Sequence, residues 1–338
     1  MDAGKPSVPA ITGPTGCGKT GLVLALAEKI PLEAVCCDSR KVYRGADIGA
    51  AKPTAEQQER VAFHLLDLVE PQAGFSVQQY VAAAQPVIAG IRAGGRLPVI
   101  EGGTGLYLEA LMGGYDFGSA PPVPELRDAF AALWESDRES LAARLQEMFP
   151  GVESEIDLRN PPRVVRFIER KLVAELPDSE VGRSLAVLGL TAKEDAVMSA
   201  RRAAAGRARA AEPLDLRGYI LTVEREALGK RIAQRTGEML AAGLVEEVEA
   251  LLKAGVPRKA QVFAGIGYSE VLLFLEGRVS REELAELITV HTRQFARRQD
   301  TWNRNRFGDF RQVPYTTPEE RAAALEYFVS EFPALLGA

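Results

Sequence analysis

The chain has 338 residues, 46% apolar and 26% charged, with a formal net charge of −5. That is the composition of a folded domain, large enough for one core with an insertion, and it excludes disorder as the dominant state. No apolar run approaches the roughly 18 residues of a membrane span, and the first residues carry no secretory pattern. The 3 Cys, two of them adjacent (Cys36 and Cys37), form neither a disulfide framework nor a zinc-ligand spacing. A cytoplasmic protein without membrane contact is expected. Only 2 His are present, so chemistry built on several histidines is excluded. The negative balance argues against wholesale binding of polyanions but leaves a local basic groove open.

In chain order, an apolar run at 8–11 predicts a strand, and 13–20 is rich in glycine. An amphipathic helix is expected over 21–30, and a strand over 33–37 ends at Asp38. Residues 45–53 read as loop. Residues 76–93 read as a helix capped by Ser76, 97–101 as a buried strand, and 105–112 as a helix after Gly102-Gly103. Strand and helix alternating in this way imply an α/β protein, a parallel sheet covered by helices. Pro121, Pro122 and Pro124 break the pattern, and 125–177 is helical in period. The stretch 178–213 gives no clear pattern, and its Ala/Arg-rich tract reads as a mobile loop or a short helix. A strand pattern returns at 217–223, followed by long helices over 226–254 and 280–299 and a last one over 318–336. The expected organisation is a P-loop-type core, 1–114 and 216–338, interrupted by a helical insertion, 115–215.

Gly13-Pro14-Thr15-Gly16-Cys17-Gly18-Lys19-Thr20 fits G-x-x-x-x-G-K-[ST], with a strand before it and a helix after it. Backbone N–H groups can close around phosphate oxygens where no Cβ obstructs the turn, and the helix N-terminus adds positive potential. Lys19 would neutralise an outer phosphate, and the Thr20 hydroxyl would face Mg²⁺. The motif alone does not separate a kinase, an NTPase or a transferase using a non-nucleotide diphosphate. Asp38, at the carboxyl end of the second strand, falls where open α/β sheets bind ligands. It could hold Mg²⁺ through water, accept a proton, or cap a turn with Ser39.

Asp38-Ser39-Arg40-Lys41-Val42-Tyr43, followed by Gly45-Ala46-Asp47-Ile48-Gly49-Ala50-Ala51-Lys52-Pro53, is far less generic. With the P-loop it resembles the tRNA dimethylallyltransferase (tRNA isopentenyltransferase) family. Further matches follow in order: His64-Leu65-Leu66-Asp67, Gly102-Gly103-Thr104-Gly105-Leu106-Tyr107, and Arg163-Val164-Val165-Arg166. After these come Arg231-Ile232, Gly243-Leu244-Val245-Glu246-Glu247-Val248, Gly265-Ile266-Gly267-Tyr268 and Thr292-Arg293-Gln294-Phe295-Ala296-Arg297-Arg298-Gln299. The resemblance runs from about residue 8 to 306 and thins over 178–213.

The resemblance implies transfer of a dimethylallyl group from dimethylallyl diphosphate to the exocyclic amine of the adenosine 3′ to the anticodon of tRNA. The P-loop would hold the donor diphosphate, and Asp38 would accept the amine proton. Lys19, Thr20 with Mg²⁺, the loop amides and Arg225 would stabilise the leaving diphosphate. The acceptor base must leave its stack to react. Contacts to tRNA are implied for Asp38, Ser39, Arg40, Lys41, Thr104, Arg127, Pro162, Arg163, Val164, Val165 and Arg166. The insertion would clamp the anticodon arm, and a monomer suffices for that.

Arg outnumbers Lys by about three to one, and Arg is the better fork for phosphate. One cluster, Arg201, Arg202, Arg207 and Arg209, lies in the insertion. The other, Arg293, Arg297, Arg298, Arg304, Arg306 and Arg311, could bind RNA phosphates or form a solvated helix face.

Lys41 and Pro162 stand where the family has Gln, and Asn303 where Phe commonly follows Trp. The first two bear on acceptor preference, because Lys only donates and the Pro side chain does neither. His64 and Trp134 read as structural residues, as does Trp302 with RNA contact as its alternative. Competing readings are an adenylate isopentenyltransferase acting on the free nucleotide, a P-loop small-molecule kinase, and an RNA-binding protein without activity.

Overall fold

A computed structural model describes residues 7–113, 120–205 and 212–335. The chain divides into two compact units, one formed by Met1–Tyr115 with Ala211–Ala338 and the other by Asp116–Ala210. Among the described residues no helix is long and apolar enough to cross a membrane.

The first unit opens with β1 (Val8–Thr12), α1 (Lys19–Ala27), β2 (Leu32–Cys36), α2 (Ala55–Arg60) and β3 (Phe63–His64). It continues with α3 (Val77–Ala93), β4 (Leu97–Glu101) and α4 (Gly105–Leu111). The second unit is helical: α5 (Pro124–Met148), α6 (Val152–Glu155), α7 (Pro161–Arg170) with a π turn after it, α8 (Asp178–Leu188) and α9 (Glu194–Ala205). The chain then returns to the first unit through β5 (Leu216–Thr222), α10 (Arg225–Ala241), α11 (Leu244–Lys253) and α12 (Tyr268–Leu275). It ends in α13 (Arg281–Arg306), β6 (Arg311–Pro314) and α14 (Pro318–Glu331).

The six strands form one parallel sheet in the order β3-β2-β4-β1-β5-β6. Every residue of β1 and β4 is buried, as expected of central strands covered on both faces. On one face, Leu22, Leu26, Phe328 and Phe332 pack with Tyr219 and Val99 in a continuous core. Ser76 caps α3 by accepting from Gln79 N, and the Gln79 side chain returns the bond to Ser76 N, which fixes where that helix starts.

Several expectations change. Over 178–205 the chain forms two helices: α8 and α9 bury Val181, Leu185, Leu188 and Val197 in the core of the second unit, and the described part of the Ala/Arg-rich tract lies in α9. Arg201 is an internal tie here, bonding Leu172 O at 2.8 Å and also Leu176 O and Asp178, while Arg207 and Arg209 lie outside the described residues. The helix expected over 226–254 is two, because Gly243 takes φ 102 between α10 and α11, a left-handed conformation that turns the chain. The helix expected to end at 299 continues to Arg306. β4 lies between β2, which leads to Asp38, and β1, which leads to the P-loop.

Candidate active site

The turn after β1 carries the Gly-rich motif, and Gly18, with φ 107, starts α1 at Lys19. The Lys19 ammonium donates to Gly13 O at 2.9 Å and Pro14 O at 3.0 Å, so it lies over its own loop. Three side chains brace the loop from outside. Gln299 Oε1 accepts from Thr15 N at 2.8 Å, Arg231 Nη1 donates to Cys17 O at 3.1 Å, and Arg235 Nη1 donates to Thr15 Oγ1 at 3.3 Å. Pro14 and Cys17 are buried in this scaffold, and their side chains do not line the cavity described next.

A cavity of about 850 Å³ opens on the loop, lined by Thr15, Gly16, Gly18, Lys19 and Thr20 and, across from them, by Asp38, Lys41, Glu101 and Arg235. A second chamber of about 290 Å³ shares Thr15, Asp38, Arg235 and Gln299 with the first. Its remaining wall mixes apolar side chains (Ile232, Ala264, Ile266, Ile288) with polar ones (Ser39, Arg40, Thr104, Thr292, Arg298), and Met239 and Phe295 line both spaces. Asp38 therefore stands on a wall shared by the phosphate-binding space and a chamber that carries an apolar patch.

Asp38 sits two residues past β2 on a turn tied down at several points. Its Oδ1 accepts from Arg40 N at 2.8 Å, Ser39 N donates to Thr104 Oγ1 at 3.1 Å, and Thr104 N donates to Cys37 O at 3.2 Å. Oδ2 of Asp38 has no bond among the described residues. Arg40 spends its guanidinium on Gln261 O (2.8 Å) and Ala264 O (3.4 Å). Lys41 is not at the surface: its ammonium donates to Glu101 Oε1 at 3.0 Å, and both side chains are buried. Burial works against ionising Glu101, yet the Lys41 and Lys19 ammonium groups outweigh it and hold its carboxyl below the usual range.

The far wall of the cavity is the loop Asp47–Pro53, and α11 holds it. Glu247 accepts Asp47 N (2.8 Å) and Ile48 N (2.7 Å) on Oε2, and Gly49 N (3.1 Å) and the Tyr268 hydroxyl (2.7 Å) on Oε1. Lys52 adds bonds to Tyr43 O and to the carboxylates of Asp47 and Asp67, at 2.5 to 2.6 Å.

Arg225 is a correction. It begins α10 and lines a separate groove with Lys230, Arg293, Arg297 and Asp300, not the P-loop cavity. The arginine of α10 in the cavity is Arg235, almost three turns further along. Burial depresses its guanidinium pKa, and the Asp38 carboxylate is the foremost opposing influence. Its signal in the sequence was helical spacing: Ile232, Arg235, Thr236 and Met239 recur on one face. Glu101, Gln299 and Glu247 were also missed as site residues, though the last two lie in matched motifs.

The remaining predicted residues belong to the second unit. Val164 is fully buried in its core, so its side chain is structural and not an RNA contact. Arg127 forks onto Glu169 through Nε (2.7 Å) and Nη2 (2.9 Å), and Arg166 reaches Ala120 O at 2.6 Å and Glu169 Oε2 at 3.3 Å. Pro162 and Arg163 are exposed and Val165 half-buried. His64 is structural as expected, bonded to Glu33 at 2.6 Å.

Comparison with known proteins agrees with this arrangement. Residues 41–306 match the sequence model of the family described as IPP transferase. The tRNA dimethylallyltransferase of Exiguobacterium sp. is 38% identical over 304 residues, covering 90% of this chain and 89% of the relative. That of Geobacillus kaustophilus is 38% identical over 301 residues, covering 88% and 87%. The crystal structure of a tRNA isopentenylpyrophosphate transferase from Bacillus halodurans matches with a TM-score of 0.66 at 30% identity, over 98% of this chain and 97% of that one. A eukaryotic dimethylallyltransferase acting on tRNA shares the fold, with a TM-score of 0.70 at 21% identity, over 98% and 84%. On its motifs, its sheet and these relatives, the chain belongs to the IPP transferase family.

Proposed function

We propose that the protein transfers the dimethylallyl group of dimethylallyl diphosphate to the exocyclic N6 amine of the adenosine 3′ to the anticodon of tRNA, releasing diphosphate. The observation that carries this reading is Asp38 on the wall shared by the P-loop cavity and a smaller chamber lined in part by Ile232, Ile266 and Ile288. A diphosphate with a short hydrocarbon tail fits the phosphate loop and that apolar patch. The relatives' names supply the acceptor.

The adenine amine is a poor nucleophile because its lone pair is delocalised into the ring. As its nitrogen bonds to the allylic carbon, the C–O bond to diphosphate breaks and that electron pair leaves on oxygen. The amine proton passes to Asp38, whose Oδ2 is free while Oδ1 is held by Arg40 N. Charge growing on the leaving diphosphate meets the Lys19 ammonium, the amides of the loop and Arg235. Ile232, Ile266 and Ile288 on the chamber wall would exclude water beside the allylic carbon and so limit its hydrolysis.

No cluster of three or more His, Cys, Asp or Glu suited to a metal ion is found among the described residues. The Thr20 hydroxyl on the cavity wall is a hard oxygen donor, and a single one suits Mg²⁺ arriving with its phosphate ligands and retaining water, as this ion prefers. Thr20 on the cavity wall would hold it together with the diphosphate. Bound there, Mg²⁺ supplies positive charge that makes diphosphate a better leaving group. The helical second unit, with Arg163 exposed at the start of α7, contributes the tRNA contacts.

The test is reaction of labelled dimethylallyl diphosphate with unmodified tRNA and, separately, with AMP, followed by mass analysis of anticodon-loop nucleosides. Prenylation of tRNA alone is expected; prenylation of AMP alone would replace this reading with the free-nucleotide one. Asp38→Ala should lower kcat by about 10²-fold or more with little change in tRNA affinity. A full-rate variant removes the base assignment.

A further inference from the structure

Two buried charges line the cavity, and the transfer step described above uses neither. Lys41 follows Asp38 by three positions, Glu101 ends β4, and the side chains are 8% and 1% exposed. Both share the cavity wall with Lys19 and Thr20. The parallel register sets Glu101 opposite Ile11, two residues before Gly13, whose carbonyl holds the Lys19 ammonium at 2.9 Å. The resemblance implies a tRNA contact for Lys41, which stands where the family has Gln. The structure has a buried ammonium instead, turned onto a carboxylate beside the phosphate loop.

A lone carboxylate at the end of β4 would repel an incoming diphosphate. A lone ammonium would add a second full cation to Lys19 and hold the product as firmly as the substrate. Charges in a space partly shielded from water act on one another several times more strongly than in bulk solvent. Paired at 3.0 Å, Lys41 and Glu101 nearly cancel.

We propose that Lys41 and Glu101 form a charge counterweight that sets how tightly the cavity holds diphosphate. The inference rests on the assignment of diphosphate to the P-loop. It assigns the two residues to ligand affinity, on donor entry and on product release, and leaves the chemistry with Asp38.

A pair serving only the fold behaves differently, because breaking it from either side loosens the same wall and weakens binding both times. The counterweight gives opposite signs. Lys41→Gln leaves the carboxylate uncompensated and weakens diphosphate binding. Glu101→Gln releases the ammonium and strengthens it.

The experiment is calorimetric titration of the full chain with inorganic pyrophosphate at fixed magnesium chloride, for the parent, Lys41→Gln, Glu101→Gln and the double variant, with circular dichroism confirming the fold. Expected are a Kd raised about tenfold by Lys41→Gln, lowered about tenfold by Glu101→Gln, and within about threefold of the parent in the double variant. If both single changes move Kd the same way, or neither moves it, the counterweight is overturned while the diphosphate assignment stands. If the parent itself binds no pyrophosphate, the diphosphate assignment fails and the proposal with it. Should one single variant not fold, the sign shown by the other decides; should neither fold, the pair is structural only and the proposal is overturned.

Discussion

The Gln299 side-chain oxygen accepts the Thr15 amide N–H at 2.8 Å, joining the C-terminal third of α13 to the phosphate loop. The same carboxamide donates through Nε2 to Gly103 O at 2.9 Å, so one side chain laces the loop after β1 to the turn after β4. Gln299→Ala should free both rims. We expect the KM for the prenyl donor to rise about tenfold, with kcat falling less, because the loop amides lose their alignment on the diphosphate. Steady-state kinetics with varied donor measures this, and unchanged KM would show that the loop keeps its shape unaided.

Glu247 makes a sharper structural prediction. Its carboxylate collects three successive backbone N–H groups of the cavity wall, at residues 47, 48 and 49. Removing it with Glu247→Ala leaves those donors without a protein partner. Hydrogen exchange at these three amides should accelerate by about tenfold or more, while β4 exchanges as before. If exchange in the loop is unaltered, Lys52 and its carboxylates carry the wall alone.

The buried Glu169 organises two arginines of the second unit and also accepts from Val123 N at 2.9 Å. Glu169→Gln cannot satisfy so many donors. The variant should lose about 3 kcal/mol of stability in chemical denaturation, the usual cost of breaking a buried charged network. Pyrophosphate affinity should be unaffected. A stability within about 0.5 kcal/mol of the parent would show that the network is not needed.

The Lys41–Glu101 pair also carries a pH signature. Burial disfavours the Lys41 ammonium, but the Glu101 carboxylate leads the charges that hold its pKa above the ordinary 10.5. Its contribution to stability is therefore full below 10.5 and is lost as pH rises through the higher folded value. Glu101 is held below its ordinary 4.5, so its contribution is present above 4.5 and is lost as pH falls through the lower folded value. The stability gap between the parent and Glu101→Gln should be widest from about pH 5 to 10 and should narrow on the acid side. Denaturation series across that range test it; a gap independent of pH would contradict the pairing.

Much of this molecule was legible in its sequence because the decisive signals are local. The strand over 97–101 and the helix capped by Ser76 lie where periodicity and capping chemistry put them. So does the phosphate loop, since glycines and a following amphipathic helix announce themselves within ten or so residues. Short edge strands do not. β3 has two residues and β6 four, too few for an alternating pattern, and they exist because a neighbouring strand offers its backbone. Arg225 and Arg235 show the same limit inside the site. Both are arginines on α10, and only the packing of α10 beside α13 decides which one faces the phosphate loop. The second unit's α8 carries Ser179, Gly182 and Ser184, poor helix formers, and it forms because tertiary burial of Val181 and Leu185 stabilises it.

The sheet order bears on how this chain comes to be folded. β1 is bordered by β4 on one side and β5 on the other, and Val8 pairs with Leu216. β1 thus waits for a partner roughly two hundred residues downstream, at an elongation rate of about 5–20 residues per second. Throughout that interval one flank of the central strand is an open template for other chains. The helical second unit, whose contacts are close in sequence, has time to collapse first, and a chaperone guarding nascent sheet edges would act on the N-terminal segment for ten seconds or more, by that approximate rate.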